Sequence, residues 1–283
     1  MDTIKVWFTD FWPEWNSEDF ITPILKRHFN VILDKNKPDV LFHSIFNSMR
    51  DTPNYNCKKI LYLGENHRAS NFKSDYTISF DPHTEKNFRL PLWQVYILLK
   101  PELKNRLYNR LNYKEQEFER WCAFIVSNPS NFIRNSAFSY LNSYKHVNSY
   151  GRFMTNDFSL QNISRNKYWR DAKDEFFLKH PHKFMMAYEN TPYRYYCTEK
   201  LMDAFLVGSM PIYWGDPKVS EDWNKDAFID VTKQEIDIVK SIDKDWKRFE
   251  EMYKQPVFTE EQKKKHEDNM KNFESWLINK VEK

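Results

Sequence analysis

Glycine is scarce. The chain of 283 residues holds four, Gly64, Gly151, Gly208 and Gly215, where the usual ~7% would give roughly 20. Neither the glycine fingerprint of a dinucleotide fold nor a P-loop can be written with them. A phosphate bound here must be held by side chains and helix termini. The three cysteines, Cys57, Cys122 and Cys197, are an odd, widely spaced set. They give no disulfide framework and no zinc site, and suit a reducing compartment. Charge of one sign is also lacking: 43 basic against 40 acidic residues leave a net +3. That argues against nucleic-acid binding through bulk positive charge and leaves room for a local anion site. No apolar run approaches the ~20 residues of a membrane span. No apolar stretch follows a basic N-terminal region, so no signal peptide is expected. These absences predict a soluble, cytoplasmic protein. HExxH and CxxC are missing, and the one D-x-D, Asp243-Lys244-Asp245, reads as a solvated helix face.

Aromatic residues are plentiful, with 10 Trp, 16 Tyr and 23 Phe, and 41% of the chain is hydrophobic. That is enough for a sizeable core in two medium domains or one large one, with rings left over to line a sugar-binding groove. Ile4–Phe11, Val31–Leu33, Val40–Phe46, Ile60–Leu63 and Tyr76–Phe80 read as strands. Ser17–Phe29 has helical spacing, with Ser17 as its N-cap. A charged helical segment, Lys100–Arg120, separates the two halves. In the second half Cys122–Val126 reads as a strand, Asn131–Tyr144 as a helix and Asn148–Trp169 as an ordered loop. Ala227–Val231 reads as a strand, Lys233–Tyr253 as one helix and Glu260–Val281 as another. Strands alternating with helices predict an α/β fold with mostly parallel sheets.

The densest signal is Tyr188–Asp216, YENTPYRYYCTEKLMDAFLVGSMPIYWGD. A strand over Phe184–Tyr188 meets a polar turn, a helix opens at Thr198-Glu199-Lys200, and a second strand covers Met210–Trp214. Polar residues thus gather where a strand feeds a helix, the place where α/β folds bind nucleotides. Lys200 adds a full charge to the helix start, so a diphosphate is the natural guest. Glu199 suits sugar hydroxyls, or simply a solvated first turn. Asn190, Tyr196 and Thr198 can offer hydrogen bonds from the turn; Thr198 reads mainly as an N-cap, and Tyr196 as core or site. Arg134, after Ser127-Asn128-Pro129, can fork onto phosphate oxygens, or is a surface helix arginine. Glu65, after the apolar run Ile60–Leu63, reads as a general base at the carboxyl edge of a parallel sheet, or as a cap or surface residue. Met185-Met186 reads as strand core. The Lys263-Lys264-Lys265 run reads as solvent-facing, with weak contact to an anionic membrane surface as the alternative.

Three ordered blocks resemble the α-1,3-fucosyltransferases of glycosyltransferase family 10, in their bacterial branch. The first is Tyr62-Leu63-Gly64-Glu65-Asn66 with Asp75-Tyr76 and Arg89-Leu90-Pro91-Leu92. The second is Ser127-Asn128-Pro129 with Arg134. The third is Tyr188-Glu189-Asn190, Tyr196, Thr198-Glu199-Lys200 and Pro211-Ile212-Tyr213-Trp214-Gly215. The resemblance implies two Rossmann-like domains facing a cleft, the type B glycosyltransferase (GT-B) fold. The expected division is an acceptor-binding domain over 1–115, a donor-binding domain over 116–258 and a C-terminal helix over 259–283. It implies GDP-fucose as donor, an N-acetyllactosamine-like oligosaccharide acceptor, and no cofactor or metal requirement. Carried over position by position, it makes Glu65 the base, Arg134 and Lys200 the diphosphate cations, and Asn190, Tyr196 and Glu199 nucleotide-sugar contacts. The chain departs from the better-known bacterial members in having no heptad array after the second domain and a single Gly151 near 148–169. Three rivals remain: the same fold with an α-1,4 linkage or another GDP-sugar, a non-catalytic glycan-binding module, and an interaction protein that docks through its tail helix.

Overall fold

The computed structural model describes residues 1–13, 15–165 and 168–282. The chain divides into two compact units, Met1–Pro101 with Lys264–Lys283, and Glu102–Lys263 between them. The expected boundaries were 115 and 258, so residues 102–115 fall with the second unit and most of the C-terminal helix with the first.

The first unit is built on six parallel strands: β1 (Thr3–Thr9), β2 (Asn30–Leu33), β3 (Val40–His43), β4 (Lys58–Tyr62), β5 (Tyr76–Ser79) and β6 (Asn87–Arg89). Their order is β2-β1-β3-β4-β5-β6. The chain winds one way from β1 to β2 and the other way from β3 onward, so the direction reverses between β1 and β3. All four residues of β3 are buried, as a strand covered on both faces requires. The helices α1 (Ile21–Lys26) and α2 (Leu92–Leu99) join Val6, Phe42, Ile60 and Ile78 in the core through Ile24, Leu25 and Val95. Helix α1 is shorter than its apolar spacing predicts. Asn16, not Ser17, caps a single 3-10 turn over Ser17–Asp19, and the α-helix begins only at Ile21. That start leaves Pro23 in the first turn, where its missing N–H has no intrahelical partner to lose. Strand β6 is too short to have been legible in the sequence.

The second unit holds β7 (Arg120–Phe124), β8 (Val147–Ser149), β9 (His182–Tyr188), β10 (Met210–Trp214) and β11 (Ile229–Asp230), again all parallel. The order β11-β10-β9-β7-β8 reverses between β7 and β9. Its helices are α3 (Glu102–Tyr108), α4 (Phe132–Tyr144), α5 (Ser159–Ser164), α6 (Trp169–Lys179), α7 (Glu199–Leu206), α8 (Ile238–Lys244) and α9 (Trp246–Tyr253). Met185 and Met186 are strand core, as expected. Gly208, at φ 74°, ends α7: its N–H donates to Phe205 O at 3.1 Å and Ser209 N–H to Ala204 O at 3.0 Å.

Four expectations fail here. The charged segment Lys100–Arg120 is α-helical only over Glu102–Tyr108, with one 3-10 turn at Glu115–Glu117 before β7 begins. The stretch 148–169 is not all loop, since it contains α5; Asn166 and Lys167 lie outside the described residues. The helix expected over Lys233–Tyr253 is two helices, because the Asp245 carboxylate accepts from Arg248 N–H at 3.1 Å and starts a new one. Asp243 is no solvated residue: it is buried, and Lys183 of β9 (2.8 Å), Tyr144 (3.0 Å) and Lys145 all donate to it. A buried carboxylate is tolerated when paired in this way.

The last helix, α10 (Glu260–Val281), matches its expected span. Phe273, Leu277 and Val281 enter the first unit's core. Glu274 anchors it by accepting from Arg27 Nη2 at 2.7 Å and Nε at 3.1 Å. Of the lysine run, Lys263 pairs with Glu260 at 2.6 Å, and Lys264 and Lys265 are exposed.

Candidate functional site

At the reversal point of the second sheet the chain leaves β7 and β9 side by side. β9 is buried along its whole length, and Glu189 extends it by donating its N–H to Trp214 O of β10 at 2.8 Å. The Glu189 side chain is completely buried. Its carboxylate accepts from Thr198 N–H at 2.7 Å, Thr198 Oγ1 at 2.8 Å and Lys200 Nζ at 3.3 Å. Burial pushes its pKa up, and the Lys200 ammonium pulls the other way. Thr198 stands at the N-cap position of α7, yet its hydroxyl serves Glu189 and does not cap the helix. The first anion at this helix start is therefore the protein's own. Gly215 is required by the same packing: a Cβ there would stand 2.5 Å from Glu189 Cγ.

Arg134 approaches from α4. Asn131 caps that helix by accepting from Arg134 N–H at 3.0 Å, and its amide donates to Glu189 O at 3.2 Å and Asn190 O at 2.9 Å. One asparagine thus ties the start of α4 to the turn after β9. The Arg134 side chain is buried, which excludes the surface reading. Its Nη1 donates to Asn190 Oδ1 at 2.9 Å and its Nη2 to Asn128 O. Its buried Nε–H has no partner among the described residues. Burial lowers its pKa and Glu189 opposes that shift, but a guanidinium stays charged at neutral pH.

Lys200 also donates to Thr198 Oγ1 at 2.9 Å and lies 3.6 Å from the Glu199 carboxylate. Burial lowers its pKa, but Glu189, Glu199 and the nearby Tyr196 phenol outweigh that, so the net shift is upward. Tyr196 is buried. Glu199 is half-buried; desolvation raises its pKa, but Lys200, Lys173 and Arg170 outweigh that and the net shift is downward. One turn on, Asp203 pairs with Arg170 at 2.6 Å and with Lys173, locking α6 to α7.

Six of the seven sequence-picked residues therefore lie in the second unit, where Arg134 meets Asn190, and Lys200 meets Thr198 and Glu199. Glu189 was missed as a site residue although it stood in the quoted motif; its cue was a carboxylate nine residues before Thr198. Arg170 and Lys173 had no cue, because α6 itself was not read. A cavity of about 730 Å³ opens beside Arg134's neighbour Ile133, with Tyr188, Trp214, Thr232 and Glu235 in its walls. The Tyr188 and Trp214 rings stack at 6.0 Å. Its volume is that of a ligand site, with apolar walls and a polar rim.

Glu65 belongs to the first unit. It lies three residues beyond β4 and is exposed, with no side-chain partner among the described residues. Its loop is held in place: Arg68 pairs with Asp81 at 2.8 Å and covers the Phe80 ring at 4.3 Å, while Ala69 N–H donates to Asp81 at 2.9 Å.

Two family models match this chain. "Alpha-(1,3)-fucosyltransferase FucT N-terminal domain" covers residues 6–96, and "Glycosyltransferase family 10 (fucosyltransferase) C-term" covers 115–274. The "Alpha-(1,3)-fucosyltransferase FucT" of Helicobacter pylori is 27% identical over 81% of this chain and 54% of its own length. The "GDP-fucose protein O-fucosyltransferase 3" of Xenopus laevis is 30% identical over 55% of this chain and 33% of its own. The chain thus spans about half the length, or less, of these relatives. A crystal structure of an α1,3-fucosyltransferase with GDP-fucose aligns over 98% of this chain and 91% of its own, at a TM-score of 0.74 and 22% identity. That likeness establishes the α/β fold of the GT-B class with two Rossmann-like units. With the second model alone matching more than half of its residues, the chain belongs to glycosyltransferase family 10, the fucosyltransferases.

Proposed function

We propose that this protein is an inverting α-1,3-fucosyltransferase. It moves L-fucose from GDP-β-L-fucose to the 3-OH of GlcNAc or Glc in an N-acetyllactosamine- or lactose-type glycan. The observation that carries the reading is Arg134: a buried guanidinium at the switch point of the second sheet, with one N–H unpaired among the described residues. An anion would complete it. Family membership and the names of the relatives supply the sugar and the donor.

In this reading the Glu65 carboxylate takes the proton of the acceptor hydroxyl. The acceptor oxygen bonds to the fucose anomeric carbon as its bond to the phosphate oxygen breaks, and GDP leaves with the electron pair. One displacement turns the β-linked donor into an α-fucoside. A positioned base contributes ~10²–10⁴-fold. Arg134 and Lys200 take the charge that develops on GDP, a donor-side electrostatic role. Two fixed cations can do this without a metal. Asn190, Tyr196, Thr198 and Glu199 shape the same pocket, and the guanine occupies the cavity walled by Tyr188, Trp214 and Glu235. We assign the reaction to the cytoplasm on the three unpaired cysteines, which suit a reducing compartment.

The test is incubation with GDP-fucose and N-acetyllactosamine or lactose, with chelator present, followed by mass spectrometry and NMR of the product. An α-1,3 fucoside is expected; an α-1,4 product or a preference for another GDP-sugar would move the chain to the nearest alternative. Glu65→Gln should lower transfer at least ~100-fold and leave GDP affinity nearly intact. A variant that retains turnover removes Glu65 from the chemistry.

A further inference from the structure

We propose that the first unit carries a saccharide subsite at its own topological switch point, separate from Glu65, which grips a neutral sugar further along the acceptor. It rests on the transferase reading, because it extends the acceptor side of that reaction.

The first sheet reverses direction between β1 and β3, and open α/β sheets bind ligands outside the carboxyl ends of the strands at such a point. A cavity of about 550 Å³ opens there, walled by Phe11 and Trp15 after β1 and by Asp51, Asn54 and Tyr55 from the connection between β3 and β4. Its size suits a small ligand. The Phe11 and Trp15 rings are stacked at 3.9 Å and 21°. The pair presents apolar ring surface to the cavity for the C–H groups of a pyranose, and neighbouring carboxylate and amide groups take its hydroxyls. Lys35 also lines the cavity, so the wall carries both signs of charge and favours a neutral guest.

The polar wall is held rigidly. Asp10 sits at φ 56°, and Asn47, Ser48 and Met49 at 51°, 53° and 53°; Asp and Asn tolerate this left-handed region, while it costs on the order of 1–3 kcal/mol each at Ser48 and Met49. Bonds to the end of β1 hold this turn: Phe46 N–H donates to Asp10 O at 2.9 Å, and Thr52 donates to the Asp10 carboxylate through N (2.9 Å) and Oγ1 (2.6 Å). Strain fixed in this way concentrates at ligand clamps. Asp51 and Asn54 are presented in place, which lowers the ordering cost of binding.

The distance to Glu65 also fits. β1 and β4 are two strand steps apart in the sheet order, roughly 10 Å at the usual spacing, about the reach of a disaccharide. The Phe11 ring stacks on Tyr62 of β4 at 6.3 Å and 13°. Phe11 is thereby anchored on the buried end of β4, the strand whose following loop carries Glu65. The sugar that reacts lies at Glu65, and a sugar one or two units away lies in the cavity lined by Phe11, Trp15 and Asp51.

The experiment uses the full chain with GDP-fucose and two acceptors, N-acetyllactosamine and its tetrasaccharide repeat. The kcat/KM ratio of tetrasaccharide to disaccharide should fall about tenfold in Asp51→Ala and in Trp15→Ala. Because Trp15 also packs against Phe8 and Phe11, the exposed Asp51 is the decisive variant. Titration of the tetrasaccharide without donor, followed by Trp fluorescence, should give a Kd about tenfold weaker in Asp51→Ala. An unchanged ratio and an unchanged Kd overturn the subsite even if transfer is robust, and so does failure of the native protein to bind the tetrasaccharide. If no acceptor is fucosylated but binding still depends on Asp51, the transferase reading falls and the subsite stands.

Discussion

Replacing Arg134 by lysine keeps the charge and removes the fork. In the native protein the guanidinium holds Asn190 Oδ1 at 2.9 Å and Asn128 O at the same time, and keeps Nε–H in reserve. An ammonium on a flexible stem cannot span these partners and also meet a phosphate oxygen. The variant should lose one charge-assisted hydrogen bond to the diphosphate, about 1.5–3 kcal/mol. At about 1.4 kcal/mol per decade, the Kd for GDP rises roughly 10- to 100-fold. The assay is calorimetric titration with GDP and with GMP, alongside a thermal melt. If Arg134 grips the terminal phosphate, the preference for GDP over GMP shrinks with the substitution. A GDP Kd within threefold of the native value, together with a lower Tm, would refute the reasoning. It would make Arg134 a clamp for the Asn190 turn and nothing more.

Gly215→Ala should cost about 1–3 kcal/mol by overpacking, since its Cβ meets the immovable Glu189 side chain at 2.5 Å; a Tm and a GDP affinity both equal to the native values would contradict that packing. The second unit should lose stability in mild acid through His182. This ring is buried between Tyr150 Oη at 2.9 Å and His180 O at 2.7 Å, and burial drives its pKa from 6.5 down to about 3. Below pH 6.5 the unfolded chain takes up a proton that the folded ring refuses, so stability falls with pH until about pH 3, by at most about 1.4 kcal/mol per unit. Urea midpoints of the native protein and His182→Gln should therefore diverge on acidification, and parallel curves would exclude His182 as the cause.

Much of the frame was legible because parallel strands announce themselves. β10 lies over Met210–Trp214 as read, bracketed by two of the four glycines, and α10 matches its periodic span. What was missed has local physical causes. Helix α6 is too charged to show an apolar stripe, and its Arg170 and Lys173 make sense only once Asp203 is folded against them. Asp243 looked solvated because its partner Lys183 lies 60 residues away in a strand. At the site, the sequence offered Arg134 and Lys200 as free cations for a ligand. The structure adds that Lys200 already serves Glu189, a constraint no spacing rule encodes.

The passage of α10 into the first unit sets an order of events during synthesis. Strands β1 to β6 leave the ribosome first, yet Phe273, Leu277 and Val281, which complete their core, emerge only after the whole second unit has been made. The early half must wait with an apolar face uncovered while the later, uninterrupted half can close as soon as it appears, which makes the waiting half the more chaperone-dependent of the two.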